Sequence, residues 1–408
     1  MTNLPQGWEV KKLGEIGEIV TGSTPSKSNL DFYGKDYPFF KPSDFEQGYF
    51  LENAGDNLSK LGFDKARQLP PKTILVVCIG SLGKVALTRV IGSCNQQINA
   101  IIPHKNIIAE YIYYYCISSK FQSILFSKAP QTTLAILNKT EFSKLEIIYP
   151  KDIKEQERIV GILDESFAKI DESIKILEQD LLNLDELMQS ALQKAFNPLK
   201  DNAKENYKLP QGWEWKSLGE IANTSSGGTP SRNKKEYWEN GNIKWLKSGE
   251  LNDGYIDFIE ENITEEAIKN SSAKIFQKGT LLIAMYGATA GKLGILNLDS
   301  TTNQAICAFL HKDKNIKFLE KFLFYFLFFL RDKIIKDSFG GAQPNINQTY
   351  IKNLQIPLPP IKEQEQIASH LDELSSHVKN LKQNYQAQIK DLQELKNSLL
   401  DKAFKGNL

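Results

Sequence analysis

Cysteine, histidine and long apolar runs are all scarce in this chain, and each scarcity removes a class of function. The four cysteines, Cys78, Cys94, Cys116 and Cys307, stand far apart with no Cys-x-x-Cys pair. That spacing argues against a zinc site or a disulfide framework and fits a reducing cytosol. The four histidines, His104, His311, His370 and His377, show no metal-ligand spacing. His370 and His377 lie seven apart on one predicted helix and read as solvated or seam-flanking. The longest apolar run, Phe322 to Leu330, has nine residues and is too short to span a bilayer. It reads as a buried helix. The opening Met1-Thr-Asn-Leu-Pro5 has neither the basic nor the apolar segment of a signal peptide, so a cytoplasmic location is expected. No Gly-x-Ser-x-Gly elbow and no Asn-Pro-Pro-Tyr/Phe run occurs. Serine hydrolysis and adenine methylation by this chain are therefore not expected.

What the chain does contain is a duplication. Leu4-Pro-Gln-Gly-Trp-Glu-Val-Lys-Lys-Leu-Gly-Glu-Ile16 returns as Leu209-Pro-Gln-Gly-Trp-Glu-Trp-Lys-Ser-Leu-Gly-Glu-Ile221, 205 residues on. Gly22-Ser-Thr-Pro-Ser26 returns as Gly227-Gly-Thr-Pro-Ser231, and Asn95-Gln-Gln-Ile98 as Asn303-Gln-Ala-Ile306. Ile153-Lys-Glu-Gln-Glu-Arg-Ile159 returns as Ile361-Lys-Glu-Gln-Glu-Gln-Ile367, now 208 residues on. Leu163-Asp-Glu165 and Ala195-Phe196 recur at the same offset, as Leu371-Asp-Glu373 and Ala403-Phe404. Chance does not produce so many matches at so steady an offset, and a repeat changes the reading of the whole fold.

Each repeat has two parts. The first, residues 1–151 and again 209–360, mixes short strands with helix and predicts an α+β domain. Lys72 to Cys78 and Gly279 to Met285 are apolar runs of strand length, closed by Gly80 and Gly287. Tyr111 to Phe126 and Phe318 to Ile335 each read as one aromatic-rich helix whose rings form core rather than a stacking platform. The second part is a long helix, over 152–196 and again over 361–405. In the first, Leu163, Phe167, Ile170, Ile174, Leu177, Leu181, Leu184, Met188, Ala191 and Ala195 alternate steps of three and four, a coiled-coil seam. The second runs Ile367, Leu371, Leu374, Val378, Leu381, Tyr385, Ile389, Leu392, with one slip of phase at Tyr385. About 45 residues make a rod of roughly 65 Å. The two rods match in length, and the order domain, helix, domain, helix predicts that they pair antiparallel. Residues 197–208, polar and proline-bearing, read as a linker.

Charge is unevenly spread. Residues 151–196 carry 6 basic against 11 acidic side chains, whereas 361–408 carry 7 of each. Residues 1–150 carry 16 basic against 13 acidic, and 197–360 carry 21 against 18. The first helix should be repelled by phosphate and should face protein. The globular parts are only weakly basic, which by itself is slender support for nucleic-acid binding.

Two glycine-rich segments, Gly80-Ser-Leu-Gly-Lys84 and Gly287-Ala-Thr-Ala-Gly-Lys292, faintly resemble a phosphate loop. Their glycines are too close, and Val85 or Leu293 stands where Ser/Thr is required. Two readings remain: a strand-end loop that offers Lys84 and Lys292 to DNA phosphate, or a tight turn with a solvated lysine. Gly22-Ser-Thr-Pro-Ser-Lys27 and Gly227-Gly-Thr-Pro-Ser-Arg232 place hydroxyls and a cation in a glycine-loosened loop. Such a loop suits phosphate and base contacts, or else is a structural turn that both copies need. Asn95 and Asn303 carry amides suited to adenine, but they repeat in both copies, so a structural role is favoured. Base-reading residues should lie where the copies diverge: Lys41 to Tyr49 against Leu246 to Tyr255, and Ala129 to Thr133 against Gly340 to Asn345.

Leu-Pro-x-Gly-Trp, Gly-x-Thr-Pro-Ser, and Pro-x-x-x-Lys-Glu-Gln-Glu-x-Ile opening a long helix together resemble the specificity subunits of type I restriction-modification systems. The resemblance covers nearly the whole chain. It implies two target-recognition domains, each reading half of a split, asymmetric DNA site, with paired helices that space them. It implies two methyltransferase subunits docked on the chain and restriction subunits that join them, and no catalysis by this chain. S-adenosylmethionine, ATP and Mg are expected on those partners and none on this chain. Related subunits serve complexes in which methylation and cleavage share one polypeptide, and that reading stays open. The candidate DNA contacts are Thr24, Ser26, Lys27, Lys41, Ser43, Lys84, Gln97 and Gln131 in the first repeat. In the second repeat they are Thr229, Ser231, Arg232, Lys247, Ser248, Lys292 and Gln343. Two other classes are carried alongside: a coiled-coil scaffold with protein-binding ends, and a nucleotide-dependent enzyme built on the Gly-Lys loops.

Overall fold

The computed structural model describes residues 4–129, 135–196, 209–312, 317–338 and 346–408. Gln131, Gln343 and the predicted linker 197–208 lie outside the described residues. The chain forms two compact units: residues 1–178 with 385–408, and residues 179–384.

In the first unit a five-stranded sheet runs in the order Gly17–Thr21, Ile98–Pro103, Ile74–Val77, Val85–Thr88, Phe50–Leu51. All its pairs are antiparallel except the last. The apolar run through Ile74–Val77 has no polar face because both faces are covered. Ile74 and Val76 pack with the aromatic helices, while Leu75 and Val77 pack with Phe40, Cys94 and Ile98. A three-stranded sheet, Asp56–Leu58, Tyr33–Phe40, Ser93–Cys94, lies beyond that second layer. Trp8–Lys12 pairs antiparallel with Glu146–Pro150, so the Leu-Pro-x-Gly-Trp turn starts next to the strand that leads into the long helix.

The predicted single aromatic helix is two helices here, Ala109–Ile117 and Ser119–Lys128. The break falls at Ser118, which is extended (ψ 147°) and whose hydroxyl caps the N–H of Phe121 at 3.3 Å while donating to Tyr115 O at 2.6 Å. A serine that can satisfy both freed backbone groups lets the chain turn inside the core. Tyr111, Tyr114 and Tyr115 are buried, as the core reading expected.

The second unit repeats the plan. Its five-stranded sheet runs Ala222–Ser226, Ile306–His311, Leu281–Ala284, Leu293–Leu296, Gly254–Ile256. A four-stranded sheet runs Asn262–Ile263, Ile243–Leu246, Ser300–Thr302, Ile275–Phe276, and Glu214–Ser217 pairs with Gln355–Leu358. Here the aromatic helix, Glu320–Lys336, is continuous.

The long helices span Ile153–Phe196 and Ile361–Ala403. Each unit contains the start of one and the end of the other, running antiparallel. In the first unit Arg158 donates to Leu408 O at 2.9 Å, and further along Asp171 pairs with Lys396. In the second, Asp185 pairs with Lys382, and Ala191 and Ala195 face Ile367 and Leu371. The seam residues of the first helix are buried or half-buried throughout, while Leu381 of the second stays 39% exposed.

The recurring motifs acquire reasons at this level. Gln156 is fully buried; it accepts the N–H of Ile108 at 3.0 Å and donates to Pro150 O at 2.8 Å and Asn106 O at 3.3 Å. Gln364 does the same with Leu319 N (2.8 Å), Pro359 O (2.9 Å) and Lys317 O (3.3 Å). Asp164 and Asp372 of the Leu-Asp-Glu motif accept from Tyr114 and Tyr325. Phe404 meets Tyr111 and Tyr115 edge-on at centroid distances of 5.4 and 5.0 Å, and Phe196 meets Phe322 and Phe326 at 5.3 and 5.5 Å. Each helix thus ends in a phenylalanine that plugs the globular core of the other repeat.

Candidate nucleic-acid interface

In the first unit four loops converge at one end of the five-stranded sheet. Gly22 leads out of the first sheet strand, and its N–H donates to Ile98 O at 3.0 Å while Ser23 N donates to Cys94 O at 2.9 Å. A Cβ on Gly22 would stand 2.0 Å from Asn95 O, so only glycine lets the two loops touch. Asn95 N donates to Phe40 O at 3.0 Å, which brings in Lys41. Cys78 N donates to Gln97 O at 2.7 Å, which brings in the Gly80–Lys84 loop. The flank of the divergent 129–133 segment arrives through Gly80 N to Ala135 O at 3.3 Å.

The second unit builds the same junction. Gly228 N donates to Thr302 O at 2.9 Å, Asn303 N to Leu246 O at 2.9 Å, and Met285 N to Ala305 O at 2.7 Å. A Cβ on Gly227 would again fall 2.0 Å from a carbonyl, that of Thr302.

Within this frame the candidate residues divide. Thr24 and Thr229 both donate to the glutamine of the facing turn, Gln96 and Gln304. These hydroxyls stitch the loops together. Ser26, Lys27 and Ser43 are exposed; Ser26 bonds Ser28 at 2.7 Å. Ser231 and Arg232 are exposed and Ser248 is half-buried. Lys41 pairs with Asp56, and Lys247 pairs with Glu261 at 2.7 Å, the same bridge in both copies. Gln97 is absorbed locally, taking the side-chain N–H of Asn95 at 2.8 Å and reaching Ile79 O at 3.4 Å. Asn95 likewise accepts Gln97 N at 3.1 Å, in keeping with the structural role expected of it. Asn303 differs, since its buried Oδ1 has no hydrogen-bond partner among the described residues.

The two Gly-Lys loops are hairpin connections between adjacent antiparallel strands, with Gly80 and Gly287 at φ 81° and 84°. A nucleotide-binding phosphate loop instead feeds a helix whose N-terminus holds the phosphates. The lysines they carry also diverge. Lys84 pairs with the well-exposed Glu46, whose carboxyl it holds below the ordinary value. Lys292 is bound at 2.8 Å to Asp253, a half-buried carboxylate that also takes both terminal nitrogens of Arg331 and the N–H of Leu293 at 3.0 Å. Burial raises the Asp253 carboxyl, but these donors outweigh it and hold it below its usual range. The solvated-lysine and phosphate readings both fit Lys84; Lys292 is a structural ion-cluster member.

Several contributors had escaped the sequence reading. Arg67 donates to Thr21 O and its own N–H reaches Ser23 Oγ at 3.3 Å; Lys274, 207 residues on, reaches Ser225 Oγ at 3.3 Å. Both put a cation beside the Gly-x-Thr-Pro-Ser loop, and their shared repeat offset was the available signal. Trp238 and Trp245, whose indoles hold Ser231 O and Gly228 O at 3.1 and 3.0 Å, had no such signal. Among the described residues no group of three or more His, Cys, Asp or Glu could hold a metal ion, and no helix is long and apolar enough to cross a membrane.

Residues 5–181 and 210–391 match the family model of the type I restriction modification DNA specificity domain. The chain belongs to this family. Among its relatives, the specificity subunit of the type I restriction enzyme HindI of Haemophilus influenzae is 38% identical over 186 residues, 44% of this chain and 40% of that subunit. The MjaIX specificity subunit of Methanocaldococcus jannaschii is 26% identical over 99% of this chain and 94% of its own length. The fold of this specificity-domain protein is that of a chain solved in work on complex assembly and conformational transition of the type I R-M system, with TM-score 0.81, 22% identity and full coverage of both chains. The HsdS subunit from Thermoanaerobacter tengcongensis superimposes with TM-score 0.60 at 21% identity, covering 100% of this chain and 98% of that one. The two matched segments of the specificity-domain family are the two repeats, and each carries one copy of the four-loop junction.

Proposed function

We propose that this chain is the DNA-reading subunit of a type I restriction-modification complex, in which each globular unit reads one half of a split, asymmetric site. The observation that carries the reading is the four-loop junction, built twice from the same backbone contacts. Glycine brings the loops together, hydroxyls bond across them, and Lys27 and Arg67 in one copy are exposed as Arg232 and Lys274 are in the other, beside the half-buried, ion-paired Lys41, Lys84 and Lys247. Cations and hydroxyls on closely approaching backbone are what phosphate contact requires, and side chains that differ between the copies are what reading two different half-sites requires.

In this reading the chain catalyses nothing itself. Two methyltransferase subunits dock on it and bind S-adenosylmethionine; restriction subunits join them and use ATP and Mg. The acidic first helix, with 11 acidic against 6 basic side chains over 151–196, suits a protein partner rather than DNA. A coiled-coil scaffold whose globular ends bind protein would show no salt-dependent DNA binding, whereas phosphate contacts give affinity a steep salt slope. The direct test is to map methylated adenines in cells with and without this chain. A split motif present only with the chain is expected, and an unchanged methylation pattern refutes the reading.

A further inference from the structure

The Gly-x-Thr-Pro-Ser loops of the two repeats end on different cations, Lys27 and Arg232, in different surroundings. Lys27 is exposed, and among the described residues no ring or carboxylate is placed against it. Arg232 is caged. Its guanidinium carbon lies 3.7 Å from the ring centre of Trp238 and 4.8 Å from that of Trp245, and Nη1 holds Glu261 Oε2 at 2.7 Å. The cage is itself fastened. Trp238 and Trp245 meet edge-on at 5.0 Å, and their indole N–H groups bond the loop's own carbonyls at Ser231 and Gly228. Glu261 is shared with Lys247 at 2.7 Å, and its side chain is 27% exposed. The first copy has Tyr33, Phe39 and Asp56 where the second has Trp238, Trp245 and Glu261, but there the Tyr33 hydroxyl bonds Pro25 O at 2.7 Å, Asp56 pairs with Lys41, and among the described residues none of the three groups holds Lys27.

A phosphate contact can be made by a flexible cation and carries no sequence information, whereas reading a base edge needs donors held in a fixed plane. Stacking and a carboxylate partner set the plane of a guanidinium. With Nη1 held by Glu261, the remaining N–H groups project in a fixed fork from a side chain that is still 51% exposed. Glu261 beside the fork also disfavours a phosphate there, through like-charge repulsion, while a base edge brings no such charge. The acceptor pair that a fixed arginine fork fits in duplex DNA is O6 and N7 of guanine in the major groove.

From this geometry we infer that Arg232 is a specificity-determining residue of the second unit, reading one guanine in its half-site, and that Trp238, Trp245 and Glu261 are its positioning residues. Lys27, exposed at the same loop position of the first unit, is assigned a phosphate contact, so the two half-sites are read differently at matched places. The inference rests on the DNA-reading function proposed above and assigns the base class to one side chain within it.

The test selects binding sites from a randomised duplex library with the chain assembled with its methyltransferase partner, as wild type, Arg232→Lys and Trp238→Ala. Wild type is expected to select a split motif with a fixed guanine at one position. Arg232→Lys keeps the charge, and is expected to lose the guanine preference at that position alone, by about 5- to 150-fold. Trp238→Ala is expected to relax the same position, and preference at the remaining positions of the same half-site serves as the folding control in both variants. A uniform fall in affinity with the guanine preference intact overturns the inference while leaving the DNA-reading function in place. A wild-type complex that selects no motif overturns both.

Discussion

The side-chain carbonyl of Gln156 accepts the backbone N–H of Ile108 at 3.0 Å, across 48 residues of chain and with no exposure to solvent. The same amide donates to Pro150 O and Asn106 O, so one side chain ties the start of the long helix to the strand before it and to the loop that launches the aromatic helices. Replacing it with leucine leaves buried backbone groups unpaired, at a cost of about 2–3 kcal/mol. Four of the five tryptophans lie in the second unit. Gln156→Leu is therefore expected to shift urea unfolding followed by circular dichroism and to leave the main fluorescence transition in place. Gln364→Leu should shift the fluorescence transition. Coincident shifts in both variants would show that the two latches are not local.

The terminal phenylalanines give a second expectation. Truncating a buried phenylalanine typically costs about 3–5 kcal/mol. Phe404→Ala should loosen the core around Tyr111 and Tyr115, seen as faster hydrogen exchange in Ala109–Ile117, although residue 404 belongs to the other repeat. Phe196→Ala should do the same to Glu320–Lys336. Exchange that quickens only within the mutated helix would contradict the plug arrangement.

Loop contact can be tested by size alone. Gly22→Ala puts a methyl group 2.0 Å from Asn95 O and must push the loop away from the facing turn. DNA affinity of the assembled complex should fall, with the loss confined to the first half-site. Gly161→Ala is the contrast, because nothing lies within 4 Å of its Cβ. It sits inside a long helix, where exchanging glycine for alanine stabilises by about 1 kcal/mol. Equal effects from the two substitutions would rule out close loop contact as the cause.

Acid should act on the second unit through Asp253. Its folded value is held below the ordinary carboxylate range, with burial opposed and overcome by Lys292, Leu293 N–H and Arg331. A depressed carboxylate contributes stability above its unfolded value of about 3.9 and loses it as pH falls through the folded value. Thermal stability of the second unit is thus expected to fall below about pH 4. Asp253→Asn, which strands Arg331 and Lys292, should cost about 3 kcal/mol at neutral pH and remove that group's share of the acid dependence. An Asn variant as stable as wild type at pH 7 would discount the cluster.

The paired lysines should separate in the same way. Lys84→Ala should leave the unfolding midpoint where it was and reduce the salt slope of DNA binding by about one. Lys292→Ala should lower the midpoint of the second unit, because it takes a partner from a half-buried carboxylate. Matching profiles for the two variants would mean that the two loops do the same job after all.

The architecture was readable because its signals are local and periodic. Steps of three and four from Leu163 to Ala195 mark the helix seam, and the unbroken apolar runs at Ile74–Val77 and Leu281–Ala284 are strands covered on both faces. The break at Ser118 was missed because apolar content runs on through it, and only the serine's two backbone bonds reveal the turn. The junction loops were legible as repeated motifs, but not the use of each side chain. Thr24 and Gln97 look like readers and are spent on holding loops together. Arg67 was overlooked because its partners Thr21 and Ser23 are remote in sequence, and the tryptophan cage because no repeated motif marks it.

The sequence by itself determined that the chain is a duplicated pair of α+β domains and long helices, since repeat offset and hydrophobic period survive in one dimension. Only the tertiary structure decided that each domain is closed by the far end of the other repeat's helix. It also decided that two lysines at matched positions have different neighbours, and that one arginine lies over an indole and against a carboxylate. Those outcomes depend on contacts between residues tens to hundreds of positions apart, such as Asp253 with Arg331 and Arg158 with Leu408. Burial and fixed geometry, which set what a charged side chain can do, exist only once those contacts have formed.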